Sequence, residues 1–111
     1  MAKRKYAYAP AARDAARLLG AQVRDARVAR GWPVRELAER AGISTDTLHK
    51  VESGEPTVAL GTAFDVASLL GVPLYYDDRS RLADEAARVG REPRLIRRVA
   101  SPRGRELDND F

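Results

Sequence analysis

Five polar residues that could exchange hydrogen bonds with a ligand fall within two turns of one predicted helix. They are Thr45, Asp46, Thr47, His49 and Lys50. At about 100° per residue, Leu48 and Val51 point inward and most of these polar residues point outward, with Thr47 turned partly toward the core. Lysine can donate to guanine O6 and N7, and aspartate can accept from cytosine N4, all of which are exposed in the DNA major groove. The pattern therefore favours base reading.

The same residue types argue against an enzyme. The chain has one histidine and no cysteine, and no nucleophile with a neighbouring base is visible. Asp77 and Asp78 are adjacent and point to opposite sides, so they do not resemble a catalytic carboxylate pair. No glycine-rich phosphate loop is present. We expect no catalytic activity, no cofactor and no metal.

Two short helices joined by a glycine turn are predicted for the segment that carries these residues, VRELAERAGISTDTLHKVESG, residues 34–54. Gly42 supplies the positive φ that ends the first helix, and Ile43 enters the core between the two. Ser44 caps the second helix. This arrangement is a helix-turn-helix signature, because a short polar helix held at a fixed angle suits the major groove.

Three further helices complete an all-α prediction. Helical spacing and stop signals place them at about residues 11–30, 59–70 and 80–89. The first buries Leu19 and Val23 and stops at Gly31, and the last is capped by Ser80. Helical spacing in the middle one predicts burial of Leu60, Ala63, Phe64, Ala67 and Leu70.

Residues 19–72 resemble the Xre/Cro-type, lambda repressor-like family. Four elements occur in the family's order: LGAQVRDARVARGW, ELAERAGIS, LHKVESG and a helix ending in LLGV. The resemblance implies a five-helix DNA-binding domain and a sequence-specific repressor that binds a double-stranded operator. Pro33 and Val34 depart from it, because the family usually has Ser or Thr and then Gln there.

Arg27 and Glu52 are predicted to form an ion pair. Each follows an inward residue by four positions, so both point toward the contact between the first and third helices. Matching positions pair in the family that the chain resembles, which implies a structural role. The phosphate contacts are predicted at Val34, Arg35, Ser44, Thr57 and Thr62, with Val34 contributing through backbone amides.

Charge and composition divide the chain into three regions. Residues 1–30 carry eight Lys or Arg and two Asp, whereas residues 31–90 carry six basic and ten acidic residues. We predict a mobile basic arm at 1–10, a DNA-binding and dimerisation domain at 11–78, and a helix with a flexible tail at 79–111. The basic ends suit contact with nucleic acid, but equally a solvated surface. No membrane span or signal peptide is recognised, and we expect a cytoplasmic, nucleoid-associated protein.

The segment VPLYYDD, residues 72–78, is predicted to be a short strand, because Pro73 blocks a continued helix and the residues after it favour extended structure. An isolated strand needs a partner, so we expect it to pair with the same strand of a second subunit. The predicted homodimer interface consists of Leu70, Val72, Leu74, Tyr75 and Tyr76.

The connection SGEPTVALGTAFDVASLLGVPL is similar to the HipB-like antitoxin branch, and the C-terminal tail resembles that group as well. The resemblance implies repression of the protein's own operon and a HipA-type kinase toxin as partner. Predicted toxin contacts are Leu95, Ile96, Val99 and Phe111. A stand-alone Xre-type repressor, from a prophage or a metabolic operon, is the alternative, and an interaction module without DNA binding is another.

Overall fold

The computed structural model describes residues 7–91, which form five α-helices and no β-strand. The helices are α1 (Pro10–Ala29), α2 (Val34–Ala41), α3 (Thr45–Glu52), α4 (Leu60–Leu69) and α5 (Arg79–Arg91). The chain divides into two compact units between Asp77 and Asp78, so that α1 to α4 belong to one unit and α5 to the other. The all-α, five-helix prediction is confirmed, with helix bounds within one or two residues of those expected.

The first four helices end in the same way, with a glycine at positive φ. These glycines are Gly31, Gly42, Gly54 and Gly71. After α2, the N–H of Gly42 donates to the Glu39 carbonyl at 3.2 Å, and the N–H of Ile43 donates to the Ala38 carbonyl at 3.0 Å. The same two-bond pattern follows α1, α3 and α4. It satisfies the last carbonyls of each helix and reverses the chain within a few residues.

The helix starts show one agreement with the sequence and one correction. Ser44 caps α3 as predicted, because its Oγ accepts from the Thr47 N–H at 3.0 Å. At α5 the cap is Asp78 and not Ser80: the Ser80 hydroxyl and N–H donate to Asp78 Oδ1 at 2.8 and 2.9 Å. Both hydrogen bonds lower the pKa of the Asp78 carboxyl, and the bond from the Ser80 hydroxyl has the larger effect.

Each of the first four helices contributes one large, fully buried side chain to a shared core. These are Val23, Leu37, Leu48 and Val66. Leu70 and Val72 belong to the same core, with side chains only 4% and 8% exposed. They are covered by their own chain, which leaves little of either side chain exposed for the predicted contact with a second subunit. The prediction that Leu60 is buried is wrong. Leu60 is the first residue of α4, lies outside the core and is 69% exposed.

Helices α1 and α3 approach closely because glycines stand at two points of contact. A Cβ at Gly20 would overlap the carbonyl oxygen of Val51 and lie 2.7 Å from that of Glu52. A Cβ at Gly54 would lie 2.6 Å from Arg17 Cα. The obstructing atoms are backbone atoms, which cannot rotate away as a side chain can. We call this contact the α1–α3 seam, and it brings backbone against backbone.

The segment predicted to be a strand contains a tight turn. The N–H of Tyr76 donates to the Leu74 carbonyl at 2.7 Å, and Tyr75 between them has a φ of 69°. A strand does not use that backbone region. Among residues 7–91 this segment has no neighbouring strand to supply partners for its N–H and C=O groups, and the Tyr76 N–H is bonded within the segment itself. The strand prediction is therefore wrong for these residues.

The seam leads to a stability prediction. We expect Gly20→Ala to lower the free energy of unfolding by about 1 to 3 kcal/mol or more, because the added methyl must push α1 and α3 apart. Gly61→Ala is the matched control, since Gly61 lies in α4 with nothing within 4 Å of an added Cβ. That variant should be neutral or slightly stabilised. Urea unfolding followed by circular dichroism compares them, and equal stabilities would contradict the close approach.

Candidate nucleic-acid interface

The α2–α3 pair is held at a fixed angle by the turn between the two helices. Each helix has eight residues, and each is anchored in the core, α2 by Leu37 and α3 by Leu48. Ile43, in the turn, is half-buried against the same core. Because these anchors lie on the inner sides of both helices, α3 presents its opposite side to solvent.

The exposed side of α3 carries most of the predicted base readers. Thr45, Asp46, His49 and Lys50 are exposed, whereas Thr47 is half-buried. Lys50 Nζ lies 3.5 Å from Asp46 Oδ2, one helical turn away. The side chains of Asp46 and Lys50 nevertheless remain 80% and 56% exposed. Both charged groups are therefore accessible to a ligand.

Thr47 and Ser44 are already engaged with each other. Ser44 Oγ accepts from the Thr47 N–H and donates to Thr47 Oγ1, each at 3.0 Å. To donate to an external phosphate, Ser44 must turn its hydroxyl hydrogen away from Thr47. The structure therefore gives these two residues a local role at the start of α3.

The N-terminus of α2 is open to solvent. Pro33 stands at the N-cap position and makes no side-chain cap hydrogen bond, so the first N–H groups of α2 lack a cap partner. Arg35 is exposed there, whereas the apolar Val34 is half-buried against the core. Of the other predicted phosphate contacts, Thr57 lies exposed between α3 and α4, and Thr62 is half-buried on α4. Positive charge and free N–H groups thus meet at the start of α2.

Arg27 and Glu52 are joined across the α1–α3 seam. The Arg27 Nε donates to Glu52 Oε2 at 2.7 Å, and Nη2 donates to Oε1 at 3.0 Å. The side chains are only 11% and 8% exposed, and Arg27 Nη1 also donates to the Trp32 carbonyl at 2.9 Å. The hydrogen bonds that Arg27 donates to the Glu52 carboxylate raise the pKa of Arg27 despite its burial. One guanidinium therefore ties the end of α3 to α1 and to the connection before α2.

Trp32 packs over the junction of α1 and α2, flanked by two arginines that the sequence analysis did not identify. The Arg40 guanidinium lies 4.2 Å from the centre of the Trp32 ring, and that of Arg30 lies 5.5 Å from it. Arg40 also donates twice to Glu36 Oε2, at 2.8 and 3.0 Å. These contacts hold the tryptophan in a structural position.

An apolar groove of about 440 Å³ lies among α1, the α3–α4 connection, α4 and the turn at Tyr75. Leu18, Leu60 and Tyr75 line it and are 61%, 69% and 81% exposed. Phe64 supports Tyr75 from the side, with ring centres 6.2 Å apart. Leu74 also lines the groove and is half-buried, as is Tyr76. Among the described residues that line the groove, Glu55 alone is charged.

Several predictions fall outside the described residues 7–91. The proposed toxin contacts Leu95, Ile96, Val99 and Phe111 lie there, as does most of the basic arm. Within residues 7–91, no helix combines the length and the apolar character needed to cross a membrane. The same residues contain no group of three or more His, Cys, Asp or Glu that could hold a metal ion.

Comparison with known families agrees with this arrangement. Residues 18–82 match a family described as a helix-turn-helix domain, and the match covers more than half of the chain. The protein therefore belongs to this family of helix-turn-helix DNA-binding domains. No curated protein and no solved structure matched the chain.

The Arg27–Glu52 pair leads to a second stability prediction. We expect Arg27→Ala to cost about 3 kcal/mol of unfolding free energy, because it leaves the Glu52 carboxylate buried without its partner. Arg24→Ala removes an exposed arginine from the same helix and should change stability by less than about 0.5 kcal/mol. Thermal melting of both variants gives the comparison. Equal melting temperatures for Arg27→Ala and the unsubstituted protein would show that the pair contributes nothing.

Proposed function

We propose that this protein is a sequence-specific transcriptional repressor of the Xre/Cro type, which binds double-stranded DNA by placing α3 in the major groove. The observation that carries the proposal is the exposed polar side of α3, a helix that is held in place by its contacts with α1 and α2. Thr45, Asp46, His49 and Lys50 face solvent, while Glu52 at the end of the same helix is fixed to α1. A helix of this kind fits the major groove and can reach base edges from its first turns.

The phosphate backbone is proposed to meet the start of α2. Its uncapped N–H groups and the positive end of the helix dipole suit a phosphate oxygen, and Arg35 adds a charge. Val34 contributes its backbone N–H alone, because its side chain is apolar. Ser44, Thr57 and Thr62 remain proposed hydroxyl donors around this site.

The experiment for the proposal is a binding titration of the full chain with duplex DNA from upstream of its own gene. We expect Lys50→Ala to weaken specific binding by about 1 to 3 kcal/mol, since a base contact is lost. The unfolding free energy should stay the same, because the Lys50 side chain is exposed. Arg88→Ala, which removes one positive charge from α5, is the control. No binding by the full chain, or equal loss in both variants, would refute the role assigned to α3.

We also propose that the protein works as a homodimer and that the apolar groove is the surface where two copies meet. A single α3 reads one half-site, and helix-turn-helix proteins gain specificity by matching two. In a twofold dimer, a surface patch of one copy packs against the same patch of the other copy, so a charged residue in the patch would face a like charge. The groove suits this, because Glu55 is the single charged residue among its described lining in a chain that is 32% charged.

The position of the groove supports the same arrangement. Val51 lines the groove from the buried side of α3, whereas Asp46 and Lys50 are exposed on that helix. A second copy seated in the groove therefore leaves the base-reading side free. Leu74 and Tyr75 keep their proposed interface role, now as groove residues.

Dimerisation can be tested with charged substitutions. We expect Leu60→Asp to dissociate the dimer, because each copy would bring a carboxylate to the apolar contact. Val28→Asp is the matched control, since Val28 is 56% exposed on α1 and does not line the groove. Sedimentation equilibrium measures both variants. A monomeric unsubstituted protein, or an undiminished Leu60→Asp dimer, would contradict this interface.

A more specific role is proposed from the α3–α4 connection and the C-terminal tail, which resemble HipB-like antitoxins. In this role the protein represses its own operon and binds a HipA-type kinase toxin through Leu95, Ile96, Val99 and Phe111. Calorimetry of the full chain and of residues 1–91 against the neighbouring gene product is the test, and truncation should weaken binding. Full-strength binding by the truncated chain would refute the tail contact. A neighbour that does not bind the full chain favours the alternative, a stand-alone repressor.

We propose no enzymatic activity. The family is one of DNA-binding domains, and His49, the one histidine of the chain, is on the proposed DNA-facing side of α3. The proposed site of action is the cytoplasm, at the nucleoid, because that is where an operator is bound.

A further inference from the structure

Asp46 and Lys50 form a coupled acceptor and donor on the exposed side of α3. A carboxylate only accepts hydrogen bonds, and an ammonium only donates them. The two groups are 3.5 Å apart and leave most of their surface open to solvent. Opposite charges one turn apart attract each other, so their positions depend on each other. A ligand that contacts one of them therefore meets the other beside it.

We infer that Asp46 and Lys50 together read a single G·C base pair, with Lys50 on guanine and Asp46 on cytosine. The inference rests on the proposed function, because it needs α3 in the major groove. In a G·C pair, guanine O6 and the cytosine N4 amino group are hydrogen bonded to each other, about 2.9 Å apart. Both face the major groove. An ammonium and a carboxylate held 3.5 Å apart match this neighbouring acceptor and donor.

The other base pairs match the couple less well. Guanine offers the ammonium two adjacent acceptors, O6 and N7, and cytosine offers the carboxylate a donor with no methyl group beside it. In an A·T pair the adenine N6 donor separates N7 from thymine O4, and the thymine methyl occupies the edge of the groove. The ammonium then loses its paired acceptors. A preference for G·C over A·T follows at this position.

Charge balance explains why both residues are needed. A carboxylate alone in the groove is repelled by the surrounding phosphates, and Lys50 offsets that repulsion at short range. Asp46 in turn restricts where the Lys50 ammonium can lie. Because Asp46 is in the first turn of α3 and Lys50 in the second, their order along the helix also sets which strand carries the guanine.

The order of the two charges provides the decisive experiment. The full chain selects sequences from a library of random double-stranded DNA, and the enriched motif is compared with that of the exchanged variant Asp46→Lys/Lys50→Asp. We expect one position of each half-site to change from G·C to C·G, with the rest of the motif unchanged. The matched control Glu85→Arg/Arg88→Glu exchanges another ion pair, on α5, and should select the original motif.

Two single substitutions keep the test informative if the exchanged variant folds or binds poorly. Asp46→Asn and Lys50→Gln should each weaken the preference for G·C over A·T about tenfold, and both at the same position. Effects at two different positions, or an unchanged motif from the exchanged variant, would overturn the inference while leaving DNA binding intact. Failure of the unsubstituted protein to enrich any sequence would instead refute the proposed function itself.

Discussion

The paired hydrogen bonds between Arg27 and Glu52 are the interaction on which the rest of the structure depends. Both charges lie almost out of solvent, where a carboxylate and a guanidinium are tolerable only when each satisfies the other. The same guanidinium holds the Trp32 carbonyl, so one side chain connects α1, the start of the α2 connection and the end of α3. This contact therefore helps to fix the orientation of α3 relative to α1 and α2, and so which side of α3 is exposed to solvent.

The glycines of the α1–α3 seam make that ion pair possible. Arg27 reaches Glu52 with two short hydrogen bonds because Gly20 allows the carbonyls of α3 to lie directly on α1. A bulkier residue there would separate the helices and lengthen the charge contact, and hydrogen bonds of this kind weaken steeply with distance and angle. Packing and electrostatics therefore act at one place, and neither is independent of the other.

Local sequence signals were sufficient for much of this fold. Gly42 and Ser44 mark a helix end and a helix start through their own backbone and side-chain chemistry, so they could be recognised without knowledge of the neighbours. Gly20 carried a usable signal as well: a glycine inside an alanine-rich helix opposes helix propensity and indicates a close contact. Tyr75 could not be predicted, because a positive φ at tyrosine opposes its local preference and depends on the surrounding chain. Leu60 shows the limit of periodicity, which identifies an apolar side but not what covers it.

The four glycine helix ends also have a consequence for how the chain folds. They join α1 to α2 and α2 to α3 through connections of four and three residues, so neighbouring helices meet after little loop closure. Chains dominated by such local contacts fold within microseconds to milliseconds. Docking of α3 onto α1 joins segments that are distant in sequence, since Arg27 and Glu52 are 25 positions apart. The exposed side of α3 therefore acquires its final orientation through a long-range contact, although the helices next to it are joined by short connections.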